Sequence, residues 1–447
     1  MSGALVIAAP ASGSGKTVFT LGLLRSLAGA GVRVVSAKVG PDYIDPTFHA
    51  AASGRPCINL DPWAMRPETL TTAAAGLLDQ ADIVICEGVM GLFDGATVTD
   101  GSTADLAGQL GWPVILVIDA HAQAASAAAV VRGFATHRPG LGVAGVVFNR
   151  VGSIRHAAIL RDACALAVPE IPVLGCLPRA DGLSVPSRHL GLVQALEHPD
   201  LPGFLDRAAA LIAEHIDMDA LHRIAGMAKM GGISSAAEEG APCPPPLPPL
   251  GQRIAVAHDV AFAFSYPLVI EGWRAAGAEI LPFSPLADEA PAPECDAVYL
   301  PGGYPELYPG RLADNTTFIA GVQAAARRGA AVFGECGGYM VLGESLTDSD
   351  GNRHRMLALL PLETSFAKRG LHLGYRRARL AGSTALGEAG ERFRGHEFHY
   401  ATLIREGPGQ PLFECADAGG RVLGRTGLVA GTVMGSFLHL IDREGAG

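Results

Sequence analysis

Short apolar, β-branched runs alternate with stretches whose apolar residues recur at helical spacing through the first half of the chain. The runs fall at 4–9, 32–38, 83–87, 114–119 and 142–149. Such alternation predicts βαβ units, hence a parallel sheet with helices on both faces and ligands at the strand C-termini. The pattern stops at 231–252, where glycines and then the text P-C-P-P-P-L-P-P predict an interdomain linker with a semi-rigid polyproline section. It resumes at 253–257, 297–300 and 331–334. The expected organisation is an α/β domain at 1–230, a linker at 231–252 and a second α/β domain at 253–447.

Composition narrows the function classes. A chain of 447 residues exceeds one compact core, and 49% apolar with 17% charged residues excludes a solvated disordered chain. A net charge of -10 without any basic block excludes general nucleic-acid binding. No run reaches ~18 uninterrupted apolar residues, so no membrane span is expected. Residues 1–10 lack a basic region and lead straight into a glycine-rich loop, so they read as a first strand. Eight cysteines are scattered without a C-x-x-C pair, which predicts reduced thiols and a cytoplasmic enzyme.

After the first run comes A-P-A-S-G-S-G-K-T, and 18–28 then reads as a helix. A strand, a glycine-rich turn and a helix N-terminus surround a polyphosphate with backbone N–H groups. Ser12, Gly13, Ser14 and Gly15 would form that cradle, Lys16 would neutralise the outer phosphates of ATP, and Thr17 would ligate Mg²⁺. The motif is a variant, since Pro10 stands where the first glycine of G-x-x-x-x-G-K-[ST] belongs. Partition-type switch ATPases carry a further lysine five positions before the Walker lysine, and here that position is Ala11.

Two acidic loops face the same rim. Lys38-Val39-Gly40-Pro41-Asp42-Tyr43-Ile44-Asp45-Pro46 contains two prolines and a glycine, which predicts a loop carrying Asp42 and Asp45. The next strand end gives Glu87 and, in a glycine-rich stretch, Asp94. Hard oxygen ligands beside a polyphosphate suit Mg²⁺, with Asp42 and Glu87 as the metal candidates and Asp45 and Asp94 nearer the acceptor. The alternative is that these acids cap turns.

In the second half, Ala331–Glu335 followed by Cys336-Gly337-Gly338 reads as a strand-to-helix elbow, which exposes Cys336 as a nucleophile and lowers its thiol pKa from ~8.5. The alternative is an inert buried cysteine. Pro301-Gly302-Gly303 follows another strand, and the amides of Gly303 and Gly337 are the expected oxyanion donors. His439, placed after a predicted strand, is the expected general base. His396 and His399 flank Glu397 with the alternation of a strand rather than a metal cage and are read as structural or gating residues. His258 reads as a surface histidine.

The stretches K-V-G-P-D-Y-I-D-P-T-F-H and E-G-V-M-G-L-F-D-G, with the loop A-S-G-S-G-K-T, resemble the cobyrinic acid and hydrogenobyrinic acid a,c-diamide synthase family of cobalamin biosynthesis. P-G-G-Y-P-E, E-C-G-G-Y-M and G-H-E-F-H-Y resemble class I glutamine amidotransferases of the cobyric-acid-synthase type. The resemblance implies a dethiobiotin-synthetase-like P-loop domain followed by an amidotransferase domain. It also implies Asn149 and Arg179 closing over adenine, and Lys38, Asp42, Tyr43, Asp45 and Asp94 at the acceptor. The implied activity is amidation of the a- and c-carboxylates of a corrinoid polycarboxylate, using ATP, Mg²⁺ and glutamine through acyl phosphates. Another tetrapyrrole acceptor such as nickel-sirohydrochlorin is the alternative, a switch ATPase with a degenerate amidase the more distant one, and a homodimer is neither required nor excluded. The sequence departs from the wider class at Ile441, which replaces the usual acid two residues after the histidine, so something else must orient His439.

Overall fold

The computed structural model describes residues 2–180, 182–183, 187–188, 191–192, 194–228 and 244–445. The chain forms two compact units, Met1–Trp63 with Leu70–Cys243, and Ala64–Thr69 with Pro244–Gly447. Of the linker expected at 231–252, positions 231–243 lie outside the described residues. The rest belongs to the second unit. Leu247 and Leu250 are buried there, and the Arg443 N–H donates to the Pro246 carbonyl at 3.1 Å, so these prolines are packed rather than extended through solvent.

In the first unit, β1 (Gly3–Ala8), β2 (Val34–Val39), β3 (Cys57–Leu60), β4 (Ile83–Glu87), β5 (Val114–Asp119), β6 (Val143–Val151) and β7 (Val173–Pro178) build one parallel sheet. Their order is β3-β2-β4-β1-β5-β6-β7. Every residue of β1 and β4 is buried, which is why these strands read as near-continuous apolar runs. Neighbouring connections diverge around β1, so the crevice beyond its C-terminus is the natural ligand position.

Helix α1 (Lys16–Gly29) begins there and buries Phe19, Leu23 and Leu27 in a core shared with Phe204 and Ile212 of a later helix. The loop expected through Asp45 is shorter than the sequence suggests. Asp45 opens helix α2 (Asp45–Ser53), because Pro46 sits in the first turn, where its missing N–H costs nothing and its fixed φ suits a helix.

The second unit contains β8 (Arg253–Ala257), β9 (Glu279–Phe283), β10 (Ala297–Leu300), β11 (Ala331–Glu335), β12 (His372–Leu380), β13 (Arg392–His399), β14 (Gln410–Asp417), β15 (Val422–Ala430), β16 (Val433–Ser436) and β17 (Leu438–Arg443). The sheet order is β9-β8-β10-β11-β16-β15-β14-β12-β13-β17. Strands β8 to β11 and β16 pair in parallel, and the remaining pairings are antiparallel. Only Phe437 separates β16 from β17, yet these strands are far apart in the sheet order. The sheet therefore curls back on itself, and Glu335 Oε1 at the end of β11 accepts the Leu440 N–H of β17 at 2.9 Å.

Residues Ala64–Thr69 join this unit through Arg66, whose N–H and Nε donate to the carboxylate of the fully buried Asp442 at 2.8 and 3.0 Å. Burial pushes the Asp442 carboxyl up, and Arg66 opposes that shift. Removing one partner strands a buried charge, whereas removing both leaves an apolar site. Arg66→Met is expected to destabilise this unit by about 3 kcal/mol, and Arg66→Met with Asp442→Leu to recover most of the loss. Thermal unfolding of both variants checks this. An unchanged midpoint in the single variant would contradict it.

Candidate active site

The first cluster lies where β1, β2 and β4 end. Gly15 holds φ +93, a left-handed conformation that favours glycine, and a Cβ there would collide with the Asn149 amide. Asn149 Nδ2 in turn donates to the Ser14 carbonyl at 3.0 Å, so β6 braces the loop. Ser14 Oγ donates to the Ala11 carbonyl at 2.8 Å, while Ser12 and Gly13 are exposed. A cavity of about 490 Å³ is lined by Gly15, Lys16, Thr17, Asn149, Leu177 and Arg179, which brings the expected phosphate and adenine residues to one place. Burial holds the Lys16 ammonium below its usual pKa against the pull of Glu87, and its Nζ donates to the Met90 carbonyl at 2.7 Å.

Beside this cavity is a buried ionic cluster. Thr17 Oγ1 donates to Glu87 Oε1 at 2.7 Å, and Lys38 Nζ lies 3.1 Å from the same oxygen and 2.6 Å from Asp45 Oδ2. His49 Nε2 lies 2.7 Å from Glu87 Oε2. Burial alone would raise the Glu87 carboxyl, but Lys38, His49 and Thr17 outweigh it and hold it well below the usual carboxylate range. Burial and Asp42 together push Asp45 up to about 7 against the opposing pull of Lys38. Burial would depress the His49 imidazole, yet Cys57 and Glu87 lift it to about 10.

The cluster redistributes the expected roles. Asp45, rather than Asp42, stands with Thr17 and Glu87. Asp42 Oδ1 accepts the Ile44 and Asp45 amides at 2.8 and 3.0 Å and so caps the turn, while its Oδ2 borders the cluster 3.8 Å from Lys38 Nζ. Lys38 is buried and turned inward to carboxylates. Tyr43 is half-buried, and the exposed Asp94 accepts the Gly91 N–H at 2.8 Å, again a turn contact. Asp45 Oδ1 is buried without a hydrogen-bond partner among the described residues. That orphaned oxygen, with the Thr17 hydroxyl and Glu87, is a hard-oxygen set that fits Mg²⁺. His49 received no role from the sequence, although it stands four residues after Asp45 on α2, the spacing that puts both on one helix face.

The second cluster surrounds Cys336. This residue adopts φ +48 and ψ −104 between β11 and the six-residue helix α3 (Gly337–Leu342), a strained backbone for a non-glycine residue and the form of a nucleophile elbow. Its N–H donates to the Ser436 carbonyl at 2.8 Å and its Sγ faces the Phe398 carbonyl at 3.7 Å. The thiol departs from expectation. Burial, reinforced by the charges of Glu306, Glu335 and Glu397, pushes it far above its ordinary value, and the Gly337 amide only partly offsets this.

Close packing unites the three motifs. A Cβ on Gly337 would lie 3.0 Å from the Gly303 nitrogen, so the two proposed donor residues are neighbours. A Cβ on the adjacent Gly302 would collide with the His439 ring. His439 follows strand β16 as expected and is itself the second residue of β17; it is almost fully buried, and burial holds its imidazole well below the ordinary value, hence neutral. Glu335 accepts the Tyr299 hydroxyl at 2.7 Å besides the Leu440 N–H, and burial pushes its carboxyl up to about 7. His396 and His399 do lie in a strand, β13, and His258 is exposed. His372, Glu397 and His399 gather within 4.8 Å. The His372 and His399 rings are stacked 8° from parallel, however, and Arg376 holds Glu397, so the in-plane nitrogens do not converge on one ion.

The CobQ/CobB/MinD/ParA nucleotide binding domain family matches residues 5–193, and the CobB/CobQ-like glutamine amidotransferase domain family matches residues 253–446. The chain is 54% identical over 439 residues to the hydrogenobyrinate a,c-diamide synthase of Brucella anthropi, covering 98% of each chain. It is 53% identical over 442 residues to that of Rhizobium meliloti, covering 98% of this chain and 99% of the relative. No helix among the described residues is long and apolar enough to cross a membrane.

A raised thiol pKa means little thiolate at neutral pH. In the glutamine-free protein, iodoacetamide labelling of Cys336 is expected to be slow at pH 7 and still rising steeply above about pH 10, where a free cysteine with a pKa of ~8.5 has levelled off. Peptide mass spectrometry of labelled protein checks this. Fast labelling that is flat between pH 7 and 9 would contradict it.

Proposed function

We propose that this chain, which belongs to the hydrogenobyrinate a,c-diamide synthase family and is a glutamine-hydrolysing amide-forming ligase, amidates the a- and c-side-chain carboxylates of cobyrinate or hydrogenobyrinate through acyl phosphates. The observation that carries this reading is the presence on one chain of two separate chemistries: a phosphate loop beside a buried carboxylate cluster, and a strained cysteine elbow whose Gly337 packs against Gly303, with a neutral histidine packed against the adjoining Gly302. A carboxylate is a poor electrophile, and transfer of the γ-phosphoryl of ATP onto its oxygen supplies a leaving group. Ammonia then attacks the acyl carbon and phosphate departs.

Lys16 steadies the outer phosphates, and Asn149 and Arg179 border the nucleotide base. Thr17, Asp45 and Glu87 would hold magnesium, which when bound neutralises phosphate charge during transfer. Lys38 balances the same carboxylates, and Asp42, Tyr43 and Asp94 lie on the loops proposed to face the acceptor. In the second unit His439 takes the Cys336 proton as sulfur attacks the glutamine amide, and the Gly303 and Gly337 amides receive the oxyanion. His439 gives that proton to the departing nitrogen, ammonia leaves, and the neutral imidazole then takes a proton from the water that cleaves the glutamyl thioester.

Two outcomes test the reading. Lys16→Ala is expected to abolish amidation from glutamine and from free ammonia alike, because phosphoryl transfer precedes both. Cys336→Ala is expected to lose glutamine-dependent synthesis and keep synthesis from ammonia. ADP and the diamide, followed together at a pH that provides free NH₃, are the readouts. Glutamine use by Cys336→Ala would place the nucleophile elsewhere.

A second test concerns the cation site. Asp45→Asn and Glu87→Gln are expected to raise the Mg²⁺ concentration needed for half-maximal rate by at least tenfold, and Asp42→Asn to change it little. Titration of Mg²⁺ against rate reads this directly. Equal behaviour of all three variants would remove the distinction.

A further inference from the structure

Two residues beyond His439, where the wider class carries an acid, stands the buried Ile441, and the packing around the imidazole itself is close. Strand β13 supplies part of that packing. His396 and His439 are direct cross-strand partners in the β13–β17 pairing, so their side chains leave the sheet on the same face. Their register follows an irregularity between Arg394 and Gly395, and a one-residue slip there would turn His396 to the opposite face. The outcome is a parallel stack, with ring centroids 4.8 Å apart and planes 6° apart. His396 also meets the Tyr266 ring in a T-shaped contact, at 6.3 Å and 72°.

The ring edge is constrained separately. The Cβ position of Gly302 collides with His439 Cε1 and lies 3.2 and 3.3 Å from Nδ1 and Nε2. Near-equal distances to the two nitrogens describe an approach in the ring plane along the Cε1–H direction, since an approach over the face would bring both nitrogens closer. The glycine of the proposed oxyanion loop thus abuts the edge of the imidazole while His396 covers a face. Two such contacts leave little freedom about χ2, the motion an acid partner restrains in a conventional triad.

We infer that His396 is a positioning residue for glutamine hydrolysis, fixing the plane of the His439 imidazole by stacking, with Gly302 fixing its edge. This rests on the reading of Cys336 and His439 as nucleophile and base. His396 suits the task as a neutral ring: burial, reinforced by Arg376, holds its pKa down to about 3. It presents a flat face to its neighbour and adds no charge.

The test uses the full-length enzyme with His396→Leu, His396→Phe and Gly302→Ala, each assayed with glutamine and with free ammonia beside Cys336→Ala. His396→Leu is expected to lower the glutamine-dependent kcat about 10²-fold, the scale of a positioned general base, with KM for glutamine changed less than threefold and ammonia-dependent synthesis retained. His396→Phe, which restores a flat ring, should recover most of that kcat, and Gly302→Ala should show the same loss of kcat as His396→Leu. Wild-type kcat in His396→Leu overturns the inference. So does a parallel loss of ammonia-dependent synthesis, which marks a purely structural residue, or failure of His396→Phe while ammonia-dependent synthesis persists. If His396→Leu does not fold, His396→Phe and Gly302→Ala decide by the same criteria. Glutamine use by Cys336→Ala would instead sink the underlying reading and is recognised separately.

Discussion

A carboxylate buried at the end of a parallel strand must be fully partnered, and both units are arranged around one. Glu87 is the last residue of β4 and Glu335 the last of β11, and each is almost completely shielded from water. The partners differ in kind. Lys38 and His49 bring positive charge to Glu87, while Tyr299 and the Leu440 amide bring only neutral donors to Glu335. The same desolvation therefore ends in opposite states: Glu87 is held ionised, and Glu335 is pushed up to about 7. An ionised, buried carboxylate attracts a cation. A carboxyl poised near neutrality ties strands together, and Glu335 does so across β10, β11 and β17, the strands that carry the glycine loop, the elbow and His439.

Much of this frame is legible in the chain because fully buried parallel strands leave uninterrupted apolar runs, and strand-to-loop transitions follow them directly. The phosphate loop, Cys336 and the glycine pair were visible for that reason, and the structure brings each to its strand end. The antiparallel half of the second unit was not. Strands such as His372–Leu380 and Val422–Ala430 expose much of their length and carry arginine and glycine, so their pattern resembles loop. The strand that contains His439 is hard to read for the same reason, since a single residue, Phe437, separates it from β16 and the two pair with different partners.

Roles within a cluster were less legible than membership of it. Proline and glycine between Lys38 and Pro46 argued for a loop, but proline in a first turn starts a helix, and that start turns Asp45 toward Glu87 and leaves Asp42 to cap the turn. His49 carried a signal that spacing alone could not rank, because a histidine one turn beyond an acid is equally at home in an ordinary core. Its closeness to Glu87 depends on α2 packing against β2, the neighbour of β4 in the sheet, a tertiary fact.

The elbow also shows why position alone does not set thiol reactivity. The expectation of a lowered pKa rested on a helix N-terminus, yet α3 has only six residues and its partial charge acts on a sulfur removed from water and surrounded by Glu306, Glu335 and Glu397. Desolvation then outweighs the dipole, whose effect is typically below about 1 kcal/mol in exposed settings. Burial depresses His439 as well, so both partners of the proposed proton transfer favour their neutral forms. A neutral thiol and a neutral imidazole hold no standing thiolate to be oxidised or alkylated. Proton transfer from sulfur becomes favourable only as negative charge moves from sulfur onto a carbonyl oxygen that the glycine amides can receive. In such a site geometry must do what charge does elsewhere, and that is the part proposed for the His396 stack and the Gly302 contact against one imidazole.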